Sequence, residues 1–596
     1  MTLQRIKEFT DPRQRIGATY IKSEGVNIRL WAPNIKEAHI EWVGNDKTAL
    51  HKENGYFSGF FPTRKNGDRY YFHCDGHRIP DPASRFQPEG VFGPSEVVED
   101  TFEWKAGDWN GTALAETIIY EIHPGTFSDK HNFEGIIDDL PRLKDLGITT
   151  LEIMPVSQFS GARNWGYDGV FPHAVQNTYG GPREFKRLID AAHSHGLSVI
   201  LDVVYNHLGP EGNVLFSLGP YVQSKYKTPW GEALNYDGAY SHEVRKYFLQ
   251  TIYQWIMEYR LDGLRFDAIQ TILDISPLTF LQEANILKEY IEAETGREIV
   301  FMAETDMNDP RTLDSIEKNG MDFDAQWADD YHHALHVTLT GEKDGYYSDY
   351  GGAKQIAEIL KNGVAYQGDY SNFHKRPHGK SYAHIDKTRL IVQSQNHDQI
   401  GNRLLGERLI TLAGFEKSKL AAACVLLSPF TPLLFMGEEI ASENPFQYFV
   451  SHISEELNNA VIKGRLREWE CFDWKSEPPN PVSEEIFNSC ILKNKKHHNP
   501  NSECMSAYYK ELIRFSKKFR KLELTVNLYN DNLIQLNYGN DIIVMLSFRE
   551  QEHIYPPLAG DWVCALDSSR FIPDHKNAFE KENIISPYSA IILERQ

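Results

Sequence analysis

Apolar residues recur along this chain with two periods, and the architecture changes where the period does. Near the amino terminus Val26, Ile28 and Leu30 alternate with polar neighbours, a period of two that sets one face of a strand against a core. The segments WAPN and ENGY supply turns between such runs. Residues 1–105 therefore read as a small β-sandwich. From about residue 117 short apolar runs alternate with amphipathic helical stretches: TIIYEIH, DDLPRLKDLG, TTLEIMPV, PREFKRLIDAAHSHG and LSVILDVV. That alternation predicts βα units on a parallel sheet. It continues through a helix near 242–260, GLRFDAI, a helix near 278–293, EIVFMAE, FDAQWAD, RLIVQSQ, a helix near 416–427 and TPLLFM. Counting gives eight strands, the number that closes a (β/α)8 barrel. The helical stretch SAYYKELIRFSKKFRKL ends this region, and the short strands LIQLNY and DIIVMLSF follow. The predicted architecture is an α/β fold: a TIM barrel over 106–521 between β-sandwiches over 1–105 and 522–596.

Composition narrows the class. Of 596 residues, 41% are hydrophobic and 24% charged, which suits a packed globular protein rather than a disordered chain. A formal net charge of −21 opposes adhesion to nucleic acid or an anionic membrane and suits a neutral ligand. The six cysteines are scattered without a CxxC pair, as in a reducing cytoplasm. The amino-terminal MTLQRIKEFTDPRQRIG lacks a signal-peptide core. The longest apolar stretch, 420–436, is broken by Ser428, Pro429, Thr431 and Pro432, so it reads as a helix followed by a buried strand, short of a membrane span. The expected location is the cytoplasm.

Candidate chemistry lies where predicted strands end. Asp202 in DVVYNH, Asp267 in GLRFDAI and Glu304 in FMAETD each close an apolar run, and Asp398 follows in SQNHDQIGNR. In a parallel barrel, strand exits carry the active site. Glycosidic bond cleavage needs a carboxylate that stays ionised and a carboxylic acid that stays protonated. Arg265 and Asp267 stand two apart on one strand and point the same way, so the guanidinium keeps Asp267 charged and able to attack. Glu304 arrives from the next strand, where nearby negative charge and partial burial raise it into the range of a general acid. A separation of about 5–5.5 Å between the two carboxyls corresponds to a retaining mechanism. Asp398 is the third carboxylate, for stabilising an oxocarbenium-like transition state. Strict alternation sets His397 and Asp398 on opposite faces, so both line a site only if the strand has bent into its loop by then. His207, Tyr167 and Trp165 add polar contacts and flat rings for a sugar.

Each residue also has a plainer reading. Among 83 acidic residues most are solvated or cap helices. Arg265 with Asp267 is equally describable as a structural ion pair, and Trp165 and Tyr167 as packing. Four such segments in order at barrel strand ends outweigh the isolated readings. In KNKKHHNPNSEC, His497, His498 and Cys504 lack a second ligand pair for zinc and read as a polar loop. In YQGDYSNFHKRPHGK, between strands six and seven, Tyr370 and Phe373 are stacking candidates on a leaving-group wall, or parts of a surface loop.

DVVYNH, GLRFD, the segment around Glu304 and QNHD together resemble the four sequence regions of the α-amylase superfamily of glycoside hydrolases. Longer stretches such as MPVSQFSGARNWGYDGV, YKTPWGEALNYDG, AETDMNDPR and FMGEEIASENPFQYFVSH resemble its trehalose-releasing branch, which acts on maltooligosyltrehalose. The likeness runs from LWAP to about residue 470. It implies Asp267 as nucleophile, Glu304 as acid/base and Asp398 as transition-state stabiliser, with Asp202, His207, Arg265 and His397 supporting the sugar subsite. It implies hydrolysis of the α-1,4 bond beside a terminal trehalose, on an α-glucan oligosaccharide and with no cofactor. The superfamily's LPDLN-type segment is here EALNYDG, and its calcium-binding pattern is not visible, so no metal is expected. Glycogen branching or debranching shares this machinery and is the alternative enzyme reading, although AETDMNDPR and NHDQIGNR differ from those enzymes. A catalytically silent carbohydrate-binding protein on the same fold is the alternative of another class.

Overall fold

The computed structural model describes residues 3–468, 478–492, 500–555, 558–573 and 584–596. Eight parallel strands close into a barrel: β1 (Ile119–Ile122), β2 (Thr150–Ile153), β3 (Ser198–Val203), β4 (Gly263–Phe266), β5 (Val300–Ala303), β6 (Ala325–Trp327), β7 (Leu390–Val392) and β8 (Thr431–Phe435). Each forms at one of the predicted apolar runs. The strands are shorter than those runs; of RLIVQSQ only Leu390–Val392 pairs. Gln393, the next residue, turns its amide to Asp329 Oδ1 at 2.9 Å instead.

Helices cover the barrel where 3.6-residue periodicity predicted them. Gly181–Ser194 buries one face, whereas Ser241–Tyr253 from Val244 on and Phe415–Leu426 from Lys419 on are buried all round. Phe280–Thr295 starts with a capping box between Thr279 and Gln282. The barrel interior is layered. Ile119, Ile200, Val300, Ala325, Ile391 and Leu433 fill the lower part. One step along the same faces come Glu121, Glu152, Asp202 and Arg265, all 2% exposed or less. A polar layer inside a barrel is costly unless its charges are paired, and this one lies directly under the strand exits.

At the amino-terminal end a four-stranded and a five-stranded antiparallel sheet enclose Val26, Ile28, Leu30, Ile40, Trp42 and Phe72. The all-β reading of this region missed the helix Leu3–Thr10. Ile6 and Phe9, three apart, are buried there, a pair too brief to signal a period. At the carboxyl end a five-stranded antiparallel sheet contains Leu533–Tyr538 and Ile542–Ser547. No helix among the described residues is long and apolar enough to cross a membrane.

Candidate active site

Strand register brings the two central acids together. Phe266 on β4 is the register partner of Ala303 on β5, so Asp267 and Glu304 occupy the next step of the same ladder, which the Glu304 N–H continues by donating to the Phe266 carbonyl at 3.0 Å. Neighbouring strands lie about 4.8 Å apart. Alternation turns both side chains inward, as it does Arg265 and Met302 two pairs earlier.

Arg265 organises the cluster. Its Nη1 donates to both oxygens of Asp202, at 3.0 and 2.8 Å, and to Asp267 Oδ1 at 2.7 Å. Its Nη2 lies 3.7 Å from Glu304 Oε2 and, like Nε, has no hydrogen-bond partner. The guanidinium lies over the Trp327 ring, 4.4 Å from its centroid, which holds it from below. Asn206 fixes Asp267 from the other side, its Nδ2 donating to Oδ2 at 2.8 Å. The orientation of the Asp267 carboxyl is thus determined at both oxygens.

Glu304 has a different environment. Burial raises its carboxyl to about 8, with Asp267, Asp329 and Asp398 adding to the rise against Arg265. Its Oε2 accepts the Ala268 N–H at 2.5 Å. Ala268 adopts a left-handed conformation, φ 39° and ψ 54°, which non-glycine residues avoid. That turn, immediately after Asp267, aims the amide at Glu304. Two neighbouring carboxyls, one paired with a guanidinium and one held protonated, are the acid and base division that glycoside cleavage requires.

Asp398 enters from the first turn of a short helix, His397–Gly401, whose N-cap Asn396 accepts the Gln399 N–H at 3.0 Å. The chain has left the strand by this point, so His397 and Asp398 both reach the site. Asp398 has a side chain 44% exposed, with His397 Nε2 3.5 Å from it. Tyr167 donates to Asp202 Oδ2 at 2.6 Å, meets His397 Nε2 at 2.7 Å, and stacks on the His397 ring. Burial pushes Asp202 up to about 6 against the pull of Arg265.

Several sequence expectations need correction. Trp165 is 3% exposed, stacked on Phe446 and edge-on to His397. It offers no face to a sugar and instead braces His397. Arg265 and His397 are wholly enclosed, so neither is open to a ligand; they contact Asp267, Asp398 and Tyr167 instead. Beside Asp398 lies a cleft of about 390 Å³ lined by Asn308, Asp329, Tyr346, Phe373, His374 and His378, among others. Phe373 belongs to it. Tyr370, 60% exposed on the hairpin Gln367–Ser371 and Arg376–Gly379, is absent from that lining. His207 bridges Asn206 Oδ1 and the Tyr167 carbonyl, and its ring carries the half-exposed Trp230 stacked at 4.5 Å. Sequence reasoning passed over Trp230, Asn206, Trp327 and Glu121. For Glu121 a signal existed, a lone charge between Tyr120 and Ile122 in an otherwise apolar strand. Among the described residues no three His, Cys, Asp or Glu side chains group as metal ligands. His497 and His498 lie outside the described residues.

A family profile for the alpha amylase catalytic domain matches residues 112–227. A malto-oligosyltrehalose trehalohydrolase of Saccharolobus solfataricus is 42% identical over 88% of this chain and 94% of its own length. One from Deinococcus radiodurans is 38% identical over 85% and 84%. A glycogen branching enzyme, the 1,4-alpha-glucan branching enzyme of Francisella tularensis, is 25% identical over 51% and 55%. Among solved structures, a Salmonella typhimurium protein superposes with a TM-score of 0.88 at 35% identity, covering 97% of this chain and 99% of that one.

Proposed function

The chain belongs to the malto-oligosyltrehalose trehalohydrolase family, within the α-amylase superfamily, and on that premise we propose how its residues work. The protein is a glycoside hydrolase that releases trehalose by cleaving the α-1,4-glucosidic bond next to the terminal trehalose of maltooligosyltrehalose. Asp267 attacks the anomeric carbon while the Glu304 carboxylic acid gives its proton to the departing glycosidic oxygen. Trehalose leaves and the glucan stays on Asp267 as an ester. Glu304, now a carboxylate, takes a proton from water, whose oxygen displaces Asp267 and restores both groups. Asp398, beside the cationic His397, stabilises the positive charge that develops on the sugar ring in both steps. Configuration is retained because two displacements occur at one carbon.

One observation carries this reading: Asp267 and Glu304 follow the register pair Phe266 and Ala303 on adjacent strands and flank one guanidinium, with Arg265 Nη1 2.7 Å from Asp267 Oδ1 and Nη2 3.7 Å from Glu304 Oε2, the close pairing of carboxyls that a retaining glycosidase needs. The lower identity and coverage of the branching enzyme make branching the weaker reading. We assign the cleft bounded by Phe373, His374 and His378 to the leaving trehalose. The test is to incubate the protein with maltooligosyltrehalose and, separately, with maltopentaose. Trehalose forming much faster than maltopentaose is hydrolysed supports the assignment. New α-1,6 branches without trehalose would replace it with a branching activity, and tight binding without turnover with a silent binder.

A further inference from the structure

The barrel interior holds more carboxylates than these steps use. Glu121 on β1 and Glu152 on β2 are register partners, and each is 1% exposed. A buried anion needs a partner or a proton, and the two acids meet this need differently. Glu152 has no hydrogen bond to either oxygen; burial, with Glu121 beside it, raises its carboxyl far above the usual range, so it is neutral. Glu121 commits both oxygens to His397, Oε1 to the ring Nδ1 and Oε2 to the backbone N–H at 3.2 Å.

The other side of the ring completes the argument. Tyr167 donates its single proton to Asp202, so its oxygen can only accept from His397 Nε2–H. Nδ1 meets a carboxylate, which also only accepts. Both ring nitrogens must therefore carry protons.

We propose that Glu121 is a positioning residue for the glycosidase reaction, an inference that rests on the site reading above: its buried carboxylate holds His397 as an imidazolium, whose Nε2–H orients Tyr167 and the ionised Asp398 at the sugar. Burial opposes the imidazolium, as does Arg265 on β4, whereas the neighbouring His123, lowered to about 4 by burial, is neutral. Asp398 and Glu121 overcome them and bring the ring to about 9. The charge is thus present below about pH 9 and lost above it.

The experiment compares the full-length wild type with Glu121→Gln by ¹⁵N NMR titration of His397 and by the pH dependence of kcat/KM on α-maltosyl fluoride. Fluoride leaves without a proton from Glu304, so the alkaline limb reports His397. In Glu121→Gln the titration and that limb move down together by at least about one pH unit, a tenfold loss above the new midpoint. A fall in activity with both unmoved would make Glu121 merely structural and overturn the proposal. Should the variant not fold, wild-type His397 decides alone: retention of both protons at pH 8 supports the proposal, and titration near its ordinary value of about 6.5 overturns it. Failure of the wild type to release trehalose would remove the functional reading, while the NMR comparison would still decide the role of Glu121.

Discussion

At the scale of single residues, the two carboxyls differ in environment and therefore in how their loss is felt. Asp267 is held at both oxygens by Arg265 and Asn206. Asp267→Asn keeps the size and most of these contacts, so folding and substrate binding persist while turnover falls by roughly 10³-fold or more, since the covalent step is lost. Substantial residual trehalose release would refute the assignment. Glu304→Gln removes only a proton donor. It should depress trehalose release severely and the attack on an activated aryl glycoside much less; equal losses on both substrates would exclude the acid role. Because the Glu304 carboxyl is raised to about 8 and works protonated, kcat/KM on maltooligosyltrehalose should hold through neutral pH and fall above about 8. A profile falling already from pH 5 would place the essential acid elsewhere.

Elements were legible where their pattern was long, and the site where it rode on them. Eight apolar runs mark eight strands because a parallel strand is buried on both faces and reads as a nearly continuous apolar segment. Asp202, Arg265 and Asp267 could be set on one inward face by counting in twos. The turn at Ala268 and the helix His397–Gly401 had no such signal, since five residues or fewer carry no period. Trp165 misled for another reason: nothing in its own segment reveals that Phe446, distant in the chain, covers its face. The capping box of the Phe280–Thr295 helix was readable as T-x-x-Q before an apolar run. Its energy is local. Thr279→Ala loses the bond from the Gln282 N–H and should cost about 1 kcal/mol, seen as a lower urea midpoint with kcat unchanged. An activity loss exceeding the loss of folded protein would mean that this helix start communicates with the site.

At the scale of the whole molecule, the amino-terminal sheets and the barrel are joined through buried charge. Arg85 Nη1 donates to Asp100 Oδ1 at 2.6 Å and to Glu258, beyond the end of the barrel helix Ser241–Tyr253. Arg15 contacts the same two acids, each at 2.9 Å. Neutral contacts continue the junction, with Gln250 exchanging hydrogen bonds with the Ile16 backbone and Tyr247 donating to the Pro82 carbonyl. Removing Arg85 leaves Asp100 and Glu258 to share Arg15 alone, and an under-compensated charge in a buried group costs far more than losing a solvated pair. Arg85 has a side chain only 6% exposed, whereas Arg514, paired with Glu511 on one helix, is 58% exposed. Arg85→Met should therefore lower unfolding free energy by about 3 kcal/mol, and Arg514→Ala by no more than about 0.5 kcal/mol. Guanidinium denaturation followed by both tryptophan fluorescence and circular dichroism measures the two. If the junction couples the layers, the wild type unfolds in one transition by both probes, and Arg85→Met shifts or splits it. Equal, small effects from the two substitutions would mean that sheets and barrel are held by apolar packing alone.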